Sequence, residues 1–132
     1  MPHVLELSVV AAGGAVGSVL RYLLAIASTR FTGGSSLAGT LTANLVGCFA
    51  IGILAAMMAQ HPDWLSPRTV AGLRVGVLGG LTTFSTFAAE SILLADQGKL
   101  AWMLLYVIAS VGLGLLAVWV GMEIVESRGS ER

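Results

Sequence analysis

The sequence predicts an all-α membrane protein of four transmembrane helices, the third broken near its middle. Three observations carry that prediction. Hydrophobic residues make up 56% and charged residues 11% of the 132-residue chain. Its mean hydropathy is +0.89. The few charges are spaced so that long uncharged runs lie between them. A soluble domain carries about 25% charged residues, and one this small exposes too much surface to stay dissolved with fewer than half of that. Soluble globular and disordered classes are therefore excluded. Nucleic-acid binding is excluded too, because seven basic residues are balanced by seven acidic ones and no basic footprint results. A lone cysteine, Cys48, rules out a disulfide framework or a cysteine-rich metal site.

The whole chain, 1–132, reads as one transmembrane domain. A helix rises about 1.5 Å per residue and needs about 20 residues to cross the hydrocarbon core. The first span is expected near 4–27, with Arg21 inside it. The second, near 38–59, falls in the 30 uncharged residues between Arg30 and His61. A third, near 68–95, carries Arg74 toward one end and Glu90 toward the other. The fourth, near 100–124, occupies all 23 uncharged residues between Lys99 and Glu123 and continues just beyond them. Ten-residue alternating segments of the kind that build membrane barrels are absent. The connections, Ser28–Leu37, Gln60–Pro67 and Asp96–Lys99, are too short to hold another domain, and residues 126–132 are expected to form a polar, disordered tail. Tyr22, Trp102 and Trp119 sit near span ends, where interfacial aromatics belong.

Four spans put both termini on one side, with Arg68, Arg74, Arg128 and Arg132, and leave Arg30 and Lys99 on the other. Without the tail the two sides are equal. Orientation follows such differences, so this sequence is compatible with copies inserted both ways and paired antiparallel, and equally with one weakly specified orientation. Glycine and alanine recur four residues apart: Gly13 with Gly17, Gly72 with Gly76 and Gly80, and Gly39 with Ala43 and Gly47. Such stripes let helices approach closely in lipid. They fit contact within one bundle and also the assembly of several copies, and the second is expected to operate.

The third span holds the least helical stretch, Gly79-Gly80-Leu81-Thr82-Thr83-Phe84-Ser85-Thr86-Phe87. Adjacent glycines each cost a helix about 1 kcal/mol relative to alanine, so an interruption is expected there. Carbonyls freed inside a membrane must find a partner: a neighbouring helix, water, or a hard cation, which prefers oxygen ligands. Phe84 and Phe87 lie three apart and share a face. They can pack against lipid or core, or present their positive ring edges to a small anion. Asn44, Thr83, Ser85, Tyr106 and Ser110 are uncharged hydrogen-bonding groups within the spans. They can glue helices together or form a track of donors that solvates an anion without trapping it. Arg21 is by default a functional residue in a membrane and can create a positive vestibule, although snorkelling competes. Glu90 reads as a proton-coupling group or an end charge, with Thr86 one turn before it as a hydrogen-bond partner. No intramembrane histidine exists to activate a nucleophile, and no metalloprotease, P-loop or dinucleotide motif is present, so an enzyme is not expected.

With these motifs in order along four spans, the sequence resembles the Fluc (CrcB) fluoride channels of prokaryotes. The resemblance covers the whole layout. It rests on Gly13-Gly14-Ala15-Val16-Gly17-Ser18-Val19-Leu20-Arg21-Tyr22, on Gly39-Thr40-Leu41-Thr42-Ala43-Asn44-Leu45-Val46-Gly47, and on the stretch Gly79–Phe87 followed by Glu90. It implies an antiparallel, dual-topology homodimer with two fluoride pores in the cytoplasmic membrane, which removes fluoride passively and protects against its toxicity. It also implies a structural Na+ at the dimer centre, held by backbone carbonyls corresponding to Gly79 and Thr82. Phe84, Phe87 and Asn44 match the family's pore phenylalanines and asparagine, and Tyr106 and Ser110 match pore-lining positions. Some members carry a serine one turn after Ser110, where this chain has Gly114. Two other classes compete. A small proton-coupled multidrug exporter needs a membrane-embedded carboxylate in the first helix, where this chain has only Glu6 near the end. A non-transporting scaffold accounts for the glycines but not for the clustered donors.

Overall fold

The computed structural model describes residues 2–129. Helix α1 spans Pro2–Phe31 and α2 spans Ser36–Gln60. Helix α3, residues 67–81, is composite: an α-helical start at Pro67–Ala71, a π-helical stretch at Gly72–Leu78 and a closing α turn at Gly79–Leu81. Helix α4 runs Phe84–Asp96, and α5 runs Leu100–Gly129. Together α3 and α4 form the third of four segments long and apolar enough to cross a membrane.

The helices outrun the expected spans because capping chemistry, rather than the first charge, sets their ends. Helix α1 continues through Arg30. There Gly33 takes φ +70° and the Gly34 amide reaches back to the Thr29 carbonyl at 2.9 Å, a glycine-based closure available to a residue without Cβ. Gly98 closes α4 the same way, with φ +73° and the Lys99 amide on the Leu94 carbonyl at 2.9 Å. Helix α3 starts on the Ser66 hydroxyl, which accepts from the Thr69 amide, with Pro67 in the first turn. The expected tail is helical as far as Gly129. Gln60 at the end of α2 donates to the Val125 carbonyl at 3.3 Å and packs against Gly129, so residues 126–129 have a neighbour to fold against. The rest of that tail lies outside the described residues.

The expected break at Gly79-Gly80 is displaced. Both glycines remain helical, and the chain leaves the helix at Thr82 (φ −85°, ψ 155°) and Thr83 (φ −148°, ψ 112°). Gly80 serves close packing instead: a Cβ there would stand 2.7 Å from the Gly14 carbonyl oxygen of α1. The same holds down the whole α1–α3 seam. A Cβ at Gly13 would lie 2.6 Å from the Gly72 oxygen, one at Gly76 would lie 2.8 Å from the Val10 oxygen, and one at Gly17 would collide with the Val77 carbonyl. Gly39 abuts Ala25 of α1, Gly47 abuts Thr82, and Gly52 and Gly121 bring α2 and α5 into backbone contact. The small-residue stripes are thus used inside one chain. Small residues also fill the centre: Ala43 and Ala56 are 0% and 1% exposed. Large apolar side chains such as Val4, Leu7, Ile108 and Leu115 point outward, the inside-out arrangement of a bundle whose solvent is lipid.

This seam yields a paired prediction. Gly17→Val must push the α1 and α3 backbones apart, and overpacking of this kind costs about 1–3 kcal/mol. Gly14→Ala adds a methyl group that meets nothing within 4 Å. Thermal melting in detergent is expected to fall clearly for Gly17→Val and to stay at the wild-type value for Gly14→Ala.

Candidate functional site

The site is organised by the two residues at which the third span unwinds. In a continuous helix the Thr83 amide would bond the Gly79 carbonyl. Here it donates to Asn44 Oδ1 of α2 at 2.8 Å, and Asn44 Nδ2 donates to the Thr83 carbonyl at 3.2 Å. One side-chain amide thus satisfies both polar groups of an extended residue deep in the bundle, as lipid requires. Thr83 then acts as the N-cap of α4, its Oγ1 accepting from the Thr86 amide at 3.2 Å. In a continuous helix that amide would bond the Thr82 carbonyl. The amides that would pair with Gly79 and Thr82 are therefore both engaged elsewhere. The Thr82 hydroxyl turns back onto the Leu78 carbonyl at 2.9 Å.

Around Thr83 the hydroxyls form a knot. Its Oγ1 donates to Thr86 Oγ1 at 3.0 Å and lies 3.3 Å from Ser85 Oγ. A second polar knot lies farther along α4. Glu90 is 9% exposed, so it is no snorkelling end charge. Thr40 Oγ1 of α2 donates to Glu90 Oε1 at 3.1 Å, and the Tyr106 hydroxyl of α5 donates to Oε2 at 2.7 Å. Both carboxylate oxygens are thus satisfied by two other helices. Thr86, the partner expected from helical spacing, is held by Thr83 instead.

Between these knots runs an aromatic ladder. Phe84 and Phe87 have ring centroids 5.7 Å apart at 54°, and Phe87 and Tyr106 are 5.4 Å apart at 53°. Tilted pairs direct ring edges toward neighbouring faces. Phe84, at 79% exposure, projects from the chain. A groove of about 410 Å³ is walled by Asn44, Gly79, Thr82, Thr83, Phe84, Phe87 and Ser110, with Arg74 and Cys48 also along it. The Ser110 hydroxyl oxygen is buried and has no hydrogen-bond partner among the described residues. A second concavity of about 440 Å³ holds Arg21 with Ser18, Thr40, Thr83 and Thr86. Thr83 is shared by both.

A family model described as "CrcB-like protein, Camphor Resistance (CrcB)" matches residues 8–122. The chain belongs to the CrcB family. Among its relatives, the fluoride-specific ion channel FluC of Allorhizobium ampelinum is 44% identical over 87% of this chain and 91% of its own length. That of Rhizobium meliloti is 42% identical over 96% and 98%, and that of Shewanella halifaxensis is 41% identical over 90% and 94%. With its four apolar helices, the chain is a multi-pass membrane protein of a channel family, not an enzyme.

Within this family member, the structure gathers most of the expected residues and separates some. Asn44, Gly79, Thr82, Thr83, Phe84, Phe87 and Ser110 share the first groove. Arg21 belongs to the other concavity, Ser85 bonds into the hydroxyl knot, and Tyr106 sits beyond Phe87 on Glu90. Tyr106 and Ser110, one turn apart on α5, therefore meet different surroundings. Gly114 is buried against Cys48 Sγ, where an added Cβ would lie 3.5 Å away. Arg74, which the sequence alone presents only as a topology charge, also borders the first groove. Its signal was an arginine seven residues inside a predicted span.

The Asn44 clamp makes a direct prediction. Asn44→Ala leaves the Thr83 amide and carbonyl without partners, and an unsatisfied buried polar group costs about 1–3 kcal/mol. The melting temperature is expected to fall, and hydrogen exchange at Thr83 and the first turn of α4 to accelerate ahead of the rest of the bundle.

Proposed function

We propose that the protein is a fluoride channel that lets F− leave the cell passively across the cytoplasmic membrane and so protects against fluoride toxicity. The observation that carries this reading is the Ser110 hydroxyl. It is a buried donor with no partner among the described residues, in a groove walled by two phenylalanines and lined by no Asp or Glu. A donor of this kind needs an acceptor. A small anion supplies one, while the positive edges of Phe84 and Phe87 attract it without a fixed charge that would hold it. The names of the 38–44% identical relatives favour fluoride as that anion.

On this reading the working unit is an antiparallel homodimer of dual topology with two pores. Phe84, exposed in one chain, would then be covered by the partner. The weak bias in basic residues between the two sides supports insertion in both directions. A structural Na+ fits the break as well. The carbonyls of Gly79 and Thr82 have lost their helical donors to Asn44 and Thr83. No group of three or more His, Cys, Asp or Glu that could hold a metal is present among the described residues. Backbone oxygens without carboxylates suit a monovalent ion better than Ca²⁺. When bound, that ion would supply fixed positive charge beside the anion path.

The test is efflux from liposomes followed with a fluoride electrode. The wild type is expected to release fluoride on ionophore addition. Phe84→Ile and Phe87→Ile are each expected to release it roughly five- to tenfold more slowly, the loss of about 1 kcal/mol of edge attraction. No release by the wild type, or full release by both variants, would refute the reading. Dual topology is tested separately: a cysteine added at the C-terminus of a Cys48→Ser background is expected to label from both sides of intact cells.

A further inference from the structure

We propose that Arg74 is the charged mouth of the fluoride groove, a positioning residue that concentrates the anion at the end of the groove nearer the chain termini. The proposal rests on the channel reading above. Arg74 lies seven residues into α3, about 10 Å along the helix at 1.5 Å per residue, near the end of the third span, where a long side chain keeps its charge within reach of the interface. The π-helical winding of Gly72–Leu78, marked by the Gly79 amide reaching the Arg74 carbonyl, stacks Arg74 above Leu78 and Gly79. All three line the groove that leads to Thr83, Phe84 and Ser110. Isolated π turns inside helices are frequent at functional sites, and this one sets the face on which the arginine emerges.

The electrostatics point the same way. Arg74 also borders a second cleft, with Ile51, Pro67, Val70, Ala71 and Val75. Neither lining contains an Asp or Glu. Glu90, the carboxylate buried in the bundle, has both oxygens committed to Thr40 and Tyr106. Arg74 is exposed at the groove, so its field is available to an incoming anion. A basic group beside low-dielectric walls raises the local concentration of anions and their rate of arrival. Arg21 cannot substitute, because it faces the other concavity.

The experiment measures initial fluoride release from liposomes at low fluoride and low ionic strength. Arg74→Gln is expected to slow it roughly three- to tenfold, and Arg74→Lys to keep most of the rate, since charge rather than fork geometry is at work. Sodium gluconate is then added to raise the ionic strength from about 0.01 M to 0.15 M. This shortens the screening length from about 30 Å to 8 Å, and the gap between wild type and Arg74→Gln is expected to narrow. Arg68→Gln, which removes a charge from the same end of α3 but outside the groove, is expected to lose clearly less than Arg74→Gln. Should Arg74→Gln not fold, as judged by gel filtration, Arg74→Met supplies the neutral variant in its place. Wild-type rates in the neutral variant, an equal loss in Arg68→Gln, or a loss insensitive to salt would overturn the role of Arg74 and leave the channel reading standing. A wild type that releases no fluoride overturns both.

Discussion

The two hydrogen bonds between Asn44 and the backbone of Thr83 are the constraint on which this structure turns. An unwound residue in the middle of a membrane span exposes an amide and a carbonyl where lipid offers nothing in return. Asn44 supplies one acceptor and one donor on a single rigid plane and meets both needs. With that residue satisfied, Thr83 is free to cap α4, the third span divides into two half-helices, and two carbonyls lose their ordinary partners. The hydroxyl knot, the projection of Phe84 and the groove beside it all follow from where the chain is released.

The bundle can hold such a break because its helices are packed on backbone rather than on large side chains. Glycines of α1 and α3 bring the two helix backbones into contact along several turns, and Gly52 and Gly121 do the same for α2 and α5. Contacts this close leave little room for a half-helix to shift. The polar groups inside are tied to specific neighbours: Thr40, Glu90 and Tyr106 join α2, α4 and α5 through two hydrogen bonds. Against this background of satisfied groups, the Ser110 hydroxyl stands out as a buried group with no hydrogen-bond partner among the described residues.

Much was legible in the residues. Hydropathy and the spacing of charges placed four spans, and glycines beside a run of hydroxyls marked the third as interrupted. Asn44, Phe84, Phe87 and Ser110 could be singled out because polar and paired aromatic residues are conspicuous in an apolar helix. Other features were hidden. Glu90 read as a proton-coupling group or an end charge because it lies near the end of its span, and its partners come from residues 50 and 16 positions away. The break was expected at Gly79-Gly80 because glycine is a poor helix former. It fell at Thr82-Thr83, where Asn44 bonds both polar groups of the unwound backbone.

The sequence by itself determined the solvent of this protein, the number of its spans and the kinds of polar group they carry. All of these depend on composition and on spacing along one helix, which short-range geometry dictates. Only the tertiary structure decided which of those groups are spent on one another and which remain open. It matched Thr40 and Tyr106 to Glu90, sent Arg21 and Arg74 to different concavities, and left Ser110 without a partner among the described residues. Hydrogen bonds reach about 3 Å, so the function of a polar side chain in a membrane is set by which helix face lies opposite it. That face is chosen by packing over the whole bundle, not by the residues on either side.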